Sequence, residues 1–203
     1  MSCLKLLKGT FKMILIIGGV KSGKSSWAST LASRRETLGP VTYLATARAG
    51  DDEMKDRIRR HQADRPSSWL TVEEPDNPSG YFLGLTSAAL TGLHPNTVLF
   101  DCITLWLTNI LSPFGDEPDR EKALALGEKE GRQLLKAVLE WEKGAAEGAR
   151  ETLIVSNHVE AGLISPWPLG RIFQDIAGLT HQMFAAEASG VYLMTAGIPQ
   201  KLK

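Results

Sequence analysis

Short runs of apolar, largely β-branched residues recur along the chain. Each run is almost continuously apolar, which is typical of strands whose two faces are both covered by helices. The runs predict strands at Met13–Ile17, Val41–Thr46, Thr97–Asp101, Thr152–Ser156 and Val191–Thr195. A further short strand at Trp69–Glu73 is signalled more weakly.

Segments with helical spacing of apolar residues separate these runs. They predict helices at Ser25–Glu36, Asp52–Asp64, Glu121–Ala146 and Leu169–Ala188, and another that begins near Thr104. Turn residues predict loops at Ser112–Asp119 and Gly144–Gly148. Because strands alternate with helices, the predicted fold class is α/β, with a mostly parallel sheet covered by helices. We expect one domain at residues 13–203 and an N-terminal extension at residues 1–12.

The balance of charge narrows the expected partners. The 203 residues include 23 Lys and Arg and 23 Asp and Glu, so the formal net charge is zero. No global field then attracts nucleic acid or an anionic membrane, and we expect neither as a partner. No run approaches the roughly 20 apolar residues of a membrane span, and the first residues lack a signal-peptide pattern. Two cysteines form no disulfide framework, so we expect a cytoplasmic protein.

The segment after the first predicted strand has the spacing of a phosphate-binding loop. Glycines let backbone N–H groups face the phosphates, and the N-terminus of the following helix favours negative charge. Lys24 is expected to reach the β- and γ-phosphates, and the Ser25 hydroxyl to ligate Mg²⁺. The alternative is a glycine-rich turn with a chance lysine. The loop predicts a P-loop NTPase-like domain that binds ATP or GTP through Gly18, Gly19, Val20, Lys21, Ser22, Gly23, Lys24 and Ser25.

Asp101 closes the third predicted strand. A P-loop site needs a carboxylate at the end of a neighbouring strand to hold Mg²⁺, and Asp101 has that position. An aspartate there can instead cap the following helix, which is predicted to begin near Thr104. Both interpretations place the side chain at the same edge of the sheet.

The remaining motifs distinguish classes of P-loop protein. The Asn-Lys-x-Asp or Thr-Lys-x-Asp element with which regulatory GTPases read the base is absent from the sequence. Motor and transporter ATPases have longer chains and partner motifs that are also missing. A small P-loop chain favours a small-molecule kinase or a nucleotidyltransferase. The alternatives are a single-function small-metabolite kinase and a non-catalytic GTP-binding protein.

Further short motifs follow the loop in a specific order and spacing. They are Thr42–Ala47, Asp51–Met54, Arg57–His61 with Arg65 and Pro66, Trp69–Glu73, Asp101–Asn109, Val155–Asn157 and Thr195–Leu202. With these motifs, the chain from about residue 13 to its end resembles the bifunctional adenosylcobinamide kinase and adenosylcobinamide-phosphate guanylyltransferase family of cobalamin biosynthesis. The first dozen residues lie outside the resemblance.

The resemblance implies two reactions on a corrinoid substrate. The hydroxyl of the aminopropanol arm of adenosylcobinamide is first phosphorylated by a nucleoside triphosphate, ATP or GTP. GMP is then transferred from GTP to that phosphate, giving adenosylcobinamide-GDP and pyrophosphate. In the family, the transfer passes through a GMP bound covalently to a histidine. Family members form homotrimers through helix contacts, and the amphipathic helices here permit that assembly without requiring it.

The same resemblance assigns residues around the nucleotide. His61 is the histidine in the matching segment and the expected catalytic nucleophile, with Lys24 as the second catalytic residue. Nearby arginines would stabilise charge on the phosphates. On composition alone, the Arg57–Arg65 segment is instead a solvated helix face. Glu73 contacts the nucleotide or is an exposed strand end. The other positions implied at the nucleotide are Thr46, Ala47, Arg48, Gln62, Ala63, Asp64, Arg65 and Asp101.

One segment departs from the family pattern. Relatives tend to read Ser-Asn-Glu-Val-Gly where this chain reads Ser156-Asn157-His158-Val159-Glu160. His158 is then either a new base or a surface histidine. His181, on a predicted amphipathic helix, is expected to be structural.

Overall fold

A computed structural model describes residues 13–63, 65–87, 95–145 and 149–203. Its strands are β1 Met13–Gly18, β2 Val41–Ala45, β3 Leu70–Glu73, β4 Thr97–Asp101, β5 Glu151–Asn157, β6 Gly190–Thr195 and β7 Ile198–Lys201. Its helices are α1 Lys24–Arg35, α2 Asp52–Ala63, α3 Pro78–Ser87, α4 Ile103–Leu111, α5 Arg120–Lys143 and α6 Pro168–Glu187. Short 3₁₀ turns occupy Glu36–Leu38, Ser112–Phe114 and Val159–Ala161.

The strands form one sheet in the order β3-β2-β4-β5-β1-β6-β7. All neighbouring pairs are parallel except β6 and β7, which form an antiparallel hairpin at the C-terminus. The predicted α/β class and mostly parallel sheet are therefore confirmed. The carboxyl ends of β1, β4 and β5 meet at one edge, where ligands of open α/β sheets bind.

The core lies on both faces of the sheet. Met13, Leu15 and Ile17 of β1 join a cluster with buried side chains of α3, α4, α5 and α6. Ile14 and Ile16, which point to the opposite face, join a second cluster with side chains of α1. Burial on both faces is the reason why the strands are continuously apolar in sequence.

Two elements were not predicted from sequence. Helix α3 contains Gly80 and Gly84, which are poor helix formers, and so gave no helical signal. Strand β7 has four residues, one of them Pro199, and forms only by pairing with β6.

Several predicted boundaries moved. The helix predicted for 121–146 is α5, whose capping residue is Gly144, so the prediction ran too far. Residues 146–148 of that helix and of the loop predicted at Gly144–Gly148 lie outside the described residues, as do residues 1–12. Within the described residues, no helix combines the length and apolar character that a membrane span requires.

Candidate active site

The phosphate loop turns sharply between β1 and α1. Gly23, just before α1, has φ +91°, a conformation that favours glycine. Gly18 is required for a different reason: a Cβ there would lie 2.6 Å from Ser22 Oγ and 2.7 Å from the Met194 carbonyl oxygen. The loop is held from outside by the C-terminal hairpin, since the Gly197 N–H donates to the Ser22 carbonyl at 2.9 Å.

Lys24 and Ser25 begin α1 at the carboxyl edge of the sheet. The Lys24 side chain is buried, and its Nζ donates to the Gly19 carbonyl at 2.9 Å, so the ammonium lies against its own loop. Ser25 is half-buried. Both line a cavity of about 210 Å³ that also contacts Asp101. The structure thus brings together the three residues predicted to handle phosphate and Mg²⁺.

Asp101 accepts a short hydrogen bond from a residue that was not predicted. The Tyr43 hydroxyl donates to Asp101 Oδ2 at 2.5 Å. Burial, and then the charge of Asp101, raise the pKa of Tyr43 well above its usual value, so the phenol stays protonated and remains a donor. The capping residue of α4 is Cys102, without a side-chain capping bond, so this structure gives no support to Asp101 as a helix cap.

The sequence alone could not identify Tyr43, because its aromatic ring in a buried strand is equally expected of a core residue. Cys102 also lines the 210 Å³ cavity. Its burial raises the pKa of the Cys102 thiol to about 11, which keeps it in the weakly reactive thiol form.

His61 lies in the last turn of α2 and is half-buried. It lines the 210 Å³ cavity and also a larger neighbouring cavity of about 740 Å³. Lys24, Ser25, Tyr43 and Arg65 line both cavities as well. His61 is therefore placed beside the phosphate loop, although the two are far apart in sequence.

The arginines around His61 have different surroundings. Arg65 stacks on Tyr43, with its guanidinium carbon 3.5 Å from the ring centroid, and donates to Thr71 Oγ1 at 3.3 Å. Arg60 lines the larger cavity. Arg59 forms an ion pair with Asp56 on an exposed part of α2, and it lines neither cavity. The segment is thus partly a solvated face and partly a cationic wall of the site.

Gln62 and Glu73 supply polar groups to the smaller cavity. Gln62 Nε2 donates to Glu73 Oε1 at 3.1 Å, and both residues line the cavity. The surrounding wall is mostly apolar, formed by Ala45, Ala47, Ala49, Met54, Ile58 and Leu105. An apolar pocket with a carboxylate in its lining is suited to a planar base that carries N–H donors.

Not every predicted contact residue lines a cavity. Thr46 is fully buried, and its hydroxyl hydrogen-bonds to the backbone of Cys102. Arg48 is exposed and forms an ion pair with Asp76. Ala63 is exposed at the end of α2 and lines neither cavity. Asp64 lies outside the described residues.

Asn157 lines the smaller cavity, although the sequence predicted no site role for it. It ends β5, lines the smaller cavity, and donates from Nδ2 to Thr104 Oγ1 at 2.8 Å. The next residue, His158, donates its backbone N–H to the Gly18 carbonyl at 3.1 Å. The polar residue closing a strand at this edge was the signal that could have identified Asn157.

The segment after Asn157 is tied to α6 by a polar cluster. His181 is buried, and its Nδ1 lies 2.5 Å from Glu160 Oε1 while its Nε2 lies 2.7 Å from Ser156 Oγ. Burial raises the pKa of Glu160, but the hydrogen bond and charge of His181 outweigh burial and lower it overall. These contacts are consistent with the predicted structural role of His181. His158 is half-buried, 3.6 Å from Glu160, and lines neither cavity.

The donor set at the loop fits a magnesium ion bound with a nucleotide. Among the described residues, no group of three or more His, Cys, Asp or Glu could hold a metal by itself. Mg²⁺ in phosphoryl-transfer sites needs only one or two protein ligands, because phosphate oxygens and waters supply the rest. Ser25 and Asp101 on one cavity wall can supply those two.

Comparisons with known proteins agree on one family. A family model described as "Cobinamide kinase / cobinamide phosphate guanyltransferase" matches residues 14–202. The "Bifunctional adenosylcobalamin biosynthesis protein CobP" of Pseudomonas aeruginosa is 40% identical over 93% of this chain and 96% of its own length. The proteins named CobU of Escherichia coli and Salmonella typhimurium are 33% and 34% identical, each over 94% of this chain and 99% of their own.

Among solved structures, a KaiC-like protein of Pyrococcus horikoshii aligns with 90% of this chain and 70% of its own. The sequence identity is 14% and the TM-score is 0.46.

Proposed function

Because the chain belongs to the cobinamide kinase / cobinamide phosphate guanyltransferase family, we propose that it catalyses both reactions on adenosylcobinamide. It phosphorylates the substrate hydroxyl with a nucleoside triphosphate and then attaches GMP from GTP to the new phosphate. The GMP passes through a covalent bond to His61. The observation that carries the proposal is that His61 and the phosphate loop line the same cavities.

In the kinase step, the substrate hydroxyl oxygen bonds to the γ-phosphorus, the bond to the β-phosphate oxygen breaks and the nucleoside diphosphate leaves, while the hydroxyl proton is released to solvent. Lys24 and the backbone N–H groups of the loop stabilise the charge on the transferred group. Ser25 and Asp101 would hold Mg²⁺ when it is bound with the nucleotide, and the ion would neutralise further phosphate charge. Tyr43 fixes the orientation of the Asp101 carboxylate by its hydrogen bond.

In the guanylyl step, a nitrogen of the His61 imidazole bonds to the α-phosphorus of GTP, the bond from that phosphorus to the β-phosphate oxygen breaks, and pyrophosphate leaves. Arg65, which stacks on the Tyr43 ring and lines both cavities with His61 and Lys24, would stabilise the negative charge that develops on the phosphates. An oxygen of the corrinoid phosphate then bonds to the same phosphorus, and the bond to His61 breaks. The electron pair of that bond returns to the imidazole.

The smaller cavity is suited to the guanosine. Guanine presents an exocyclic amino group as a donor, and the carboxylate of Glu73 is an acceptor in the lining of a largely apolar pocket. Gln62 orients that carboxylate by its hydrogen bond. Glu73 therefore selects guanine over adenine in the second reaction.

The histidine step can be tested with GTP labelled at the α-phosphate and no corrinoid. The chain should acquire a label that is labile to acid and stable to alkali, as expected of a phosphorus–nitrogen bond. His61→Ala should lose the label while keeping its circular dichroism spectrum, and His158→Ala is the matched histidine control that should keep it. Full labelling of His61→Ala would contradict the proposed covalent bond between GMP and His61. Transfer of γ-phosphate without any label on the wild-type chain would instead identify a single-function kinase.

The assembly and location are part of the same proposal. A homotrimer in the cytoplasm agrees with the family resemblance, and exposed Leu163, Ile164 and Trp167 supply apolar surface for a subunit contact. Sedimentation equilibrium should then give three times the 22.1 kDa mass of one chain. A single-chain mass at micromolar concentration would contradict the trimer.

A further inference from the structure

Two cavities border His61, and they differ in size and chemistry. The smaller, about 210 Å³, is largely apolar and has Glu73 in its lining. The larger, about 740 Å³, extends from the phosphate loop along α1, and we call it the α1 groove. Its volume lies within the range of roughly 300–1,000 Å³ that small-molecule sites occupy. Under the proposed function, the guanosine accounts for the smaller cavity and the triphosphate for the loop end of the α1 groove, so the part of the groove along α1 has no assigned occupant.

One side of α1 presents hydroxyl groups to this groove. Ser26, Ser29, Thr30 and Ser33 all line it, and their spacing of three and four residues places them on one face of the helix. The opposite face packs Ala28, Leu31 and Ala32 against the sheet. Burial therefore explains the apolar face of α1 but not why the other face has hydroxyls rather than long charged side chains.

A buried hydroxyl at the loop end of the groove adds a separate observation. Ser22 lines the groove, is only 8% exposed, and its Oγ has no hydrogen-bond partner within the described residues. A buried polar atom without a partner is costly, and a bound ligand or water commonly satisfies it. The groove is thus polar at both its loop end and its helix side.

The geometry of phosphoryl transfer places the second substrate in this groove. In an in-line displacement, the attacking and leaving atoms lie on opposite sides of the phosphorus. When the corrinoid phosphate displaces His61 from GMP, it must therefore enter on the side from which pyrophosphate left, over the phosphate loop. Lys21, Ser22 and Gly23 line only the α1 groove of the two cavities.

We propose that the α1 groove binds the corrinoid, with its phosphate over the phosphate loop and its macrocycle along α1. The rim of a corrin ring carries carboxamide side chains, which offer both donors and acceptors. Serine hydroxyls also both donate and accept, so Ser26, Ser29 and Ser33 match that rim without adding charge. The inference rests on the proposed function, because it needs a corrinoid phosphate as the acceptor of GMP.

Two variants test the groove. The triple variant Ser26→Ala, Ser29→Ala, Ser33→Ala removes hydroxyls and leaves alanine, the best helix former, so the fold is kept. Ser33→Trp fills the groove instead. The control is Thr37→Ala, which removes an exposed hydroxyl just beyond α1 and outside the groove. Steady-state transfer of GMP to adenosylcobinamide phosphate is measured, together with labelling of the chain by α-labelled GTP in the absence of corrinoid.

We expect the KM for the corrinoid phosphate to rise about tenfold or more in both variants, since each lost hydrogen bond weakens binding several-fold. Labelling should stay within about twofold of the wild-type value, and Thr37→Ala should match wild type in both assays. An unchanged KM in both variants overturns the inference. So does a parallel loss of labelling, which would assign the groove to GTP, or a change in sedimentation mass, which would assign it to a second copy of the chain. Failure of the proposed function is distinct, because the wild-type chain would then take up no label.

Discussion

The phosphate loop with α1 and the helix α2 face each other across the same cavity, but the fold holds them differently. Helix α1 buries Ala28, Leu31 and Ala32 against the sheet, and its loop is bonded to both the C-terminal hairpin and the segment after β5. Helix α2 has no buried residue among those whose side chains are described. Its end is tied to the sheet by the Gln62–Glu73 bond and by the stacking of Arg65 on Tyr43.

The difference in packing between α1 and α2 explains how one cavity can serve the two proposed reactions. In the proposed mechanism, the loop binds phosphates through backbone groups, which act only if their geometry is set before the ligand arrives. Both proposed reactions need that binding. In the same mechanism, helix α2 contributes one nucleophile, His61, to one reaction only. An element with few buried contacts belongs to the part of a protein that opens most easily. We therefore expect substitutions in the loop to affect both reactions, and substitutions in α2 to affect one.

The sharpest test compares Lys24→Met with His61→Gln. Loss of the Lys24 charge should lower both the kinase and the guanylyl rate by about 10³-fold, because phosphate charge is no longer neutralised. His61→Gln should abolish guanylyl transfer and keep the kinase rate within about threefold. The kinase step is followed by nucleoside diphosphate release with adenosylcobinamide, and the second step by GMP transfer to the purified phosphate. Equal loss of both rates in His61→Gln would contradict the expectation that α2 serves only the guanylyl reaction.

The rigidity of the loop can be tested with two neighbouring glycines. Gly18→Ala places a Cβ within 3 Å of Ser22 Oγ and the Met194 carbonyl, whereas a Cβ at Gly19 meets nothing within 4 Å. Gly18→Ala should lower the free energy of unfolding by about 1–3 kcal/mol and weaken nucleotide binding about tenfold or more. Gly19→Ala is the matched control and should change the unfolding free energy by less than about 0.5 kcal/mol. Urea denaturation and titration with GTP measure both, and equal effects would contradict a pre-set loop.

Tyr43 connects the two regions, since it bonds to Asp101 and supports Arg65. Tyr43→Phe keeps the ring for stacking but removes the hydrogen bond to the carboxylate, so we expect about a tenfold loss in kcat for both reactions. The Mg²⁺ concentration for half-maximal rate should rise, because the carboxylate is no longer oriented. Tyr81→Phe on α3, away from both cavities, is the control. A loss restricted to guanylyl transfer would assign Tyr43 to α2 alone.

A substitution of Glu151, which lies away from the site, should change the stability of the fold without changing either activity. Glu151 begins β5, at the opposite end of that strand from Asn157, and burial raises its pKa to about 7 despite the Arg35 ion pair. Because the folded-state pKa is raised from 4.5, the protonated form favours folding, and stability is lost as pH rises from about 4.5 through 7. The free energy of unfolding of Glu151→Gln should therefore exceed that of wild type by about 1–2 kcal/mol at pH 8 and equal it at pH 4. Urea midpoints at the two pH values measure this, and both activities should be unchanged.

Most strands and helices could be predicted from the sequence, because the patterns that indicate them are local. The strands with buried residues on both faces were visible as apolar runs, and the strand and helix around Gly18–Ser25 were visible by spacing. Strand β7 and helix α3 were missed, since pairing with β6 forms the first and core contacts of Phe82 stabilise the second. The family resemblance is confirmed by the match over residues 14–202.

The candidate site divides in the same way. Lys24, Ser25, Asp101, His61, Gln62 and Glu73 were predicted, and they line one cavity. Thr46, Arg48, Ala63 and the loop glycines Gly18 and Gly19 were also predicted but line neither cavity. Neighbours in sequence on a loop or a helix end point in different directions. Their roles in nucleotide binding, like those of the cavity residues, stay predictions until the labelling and rate experiments are done.

By itself, the sequence determined the phosphate loop, the α/β class and the family, because each depends on residue types at fixed spacing along the chain. Only the tertiary structure decided that Tyr43 bonds to Asp101, 58 residues away, and that Arg65 lies on its ring. It also decided that the hydroxyl face of α1 opens on the same groove as His61. Such contacts follow from strand order and helix packing, and no spacing in the chain encodes them.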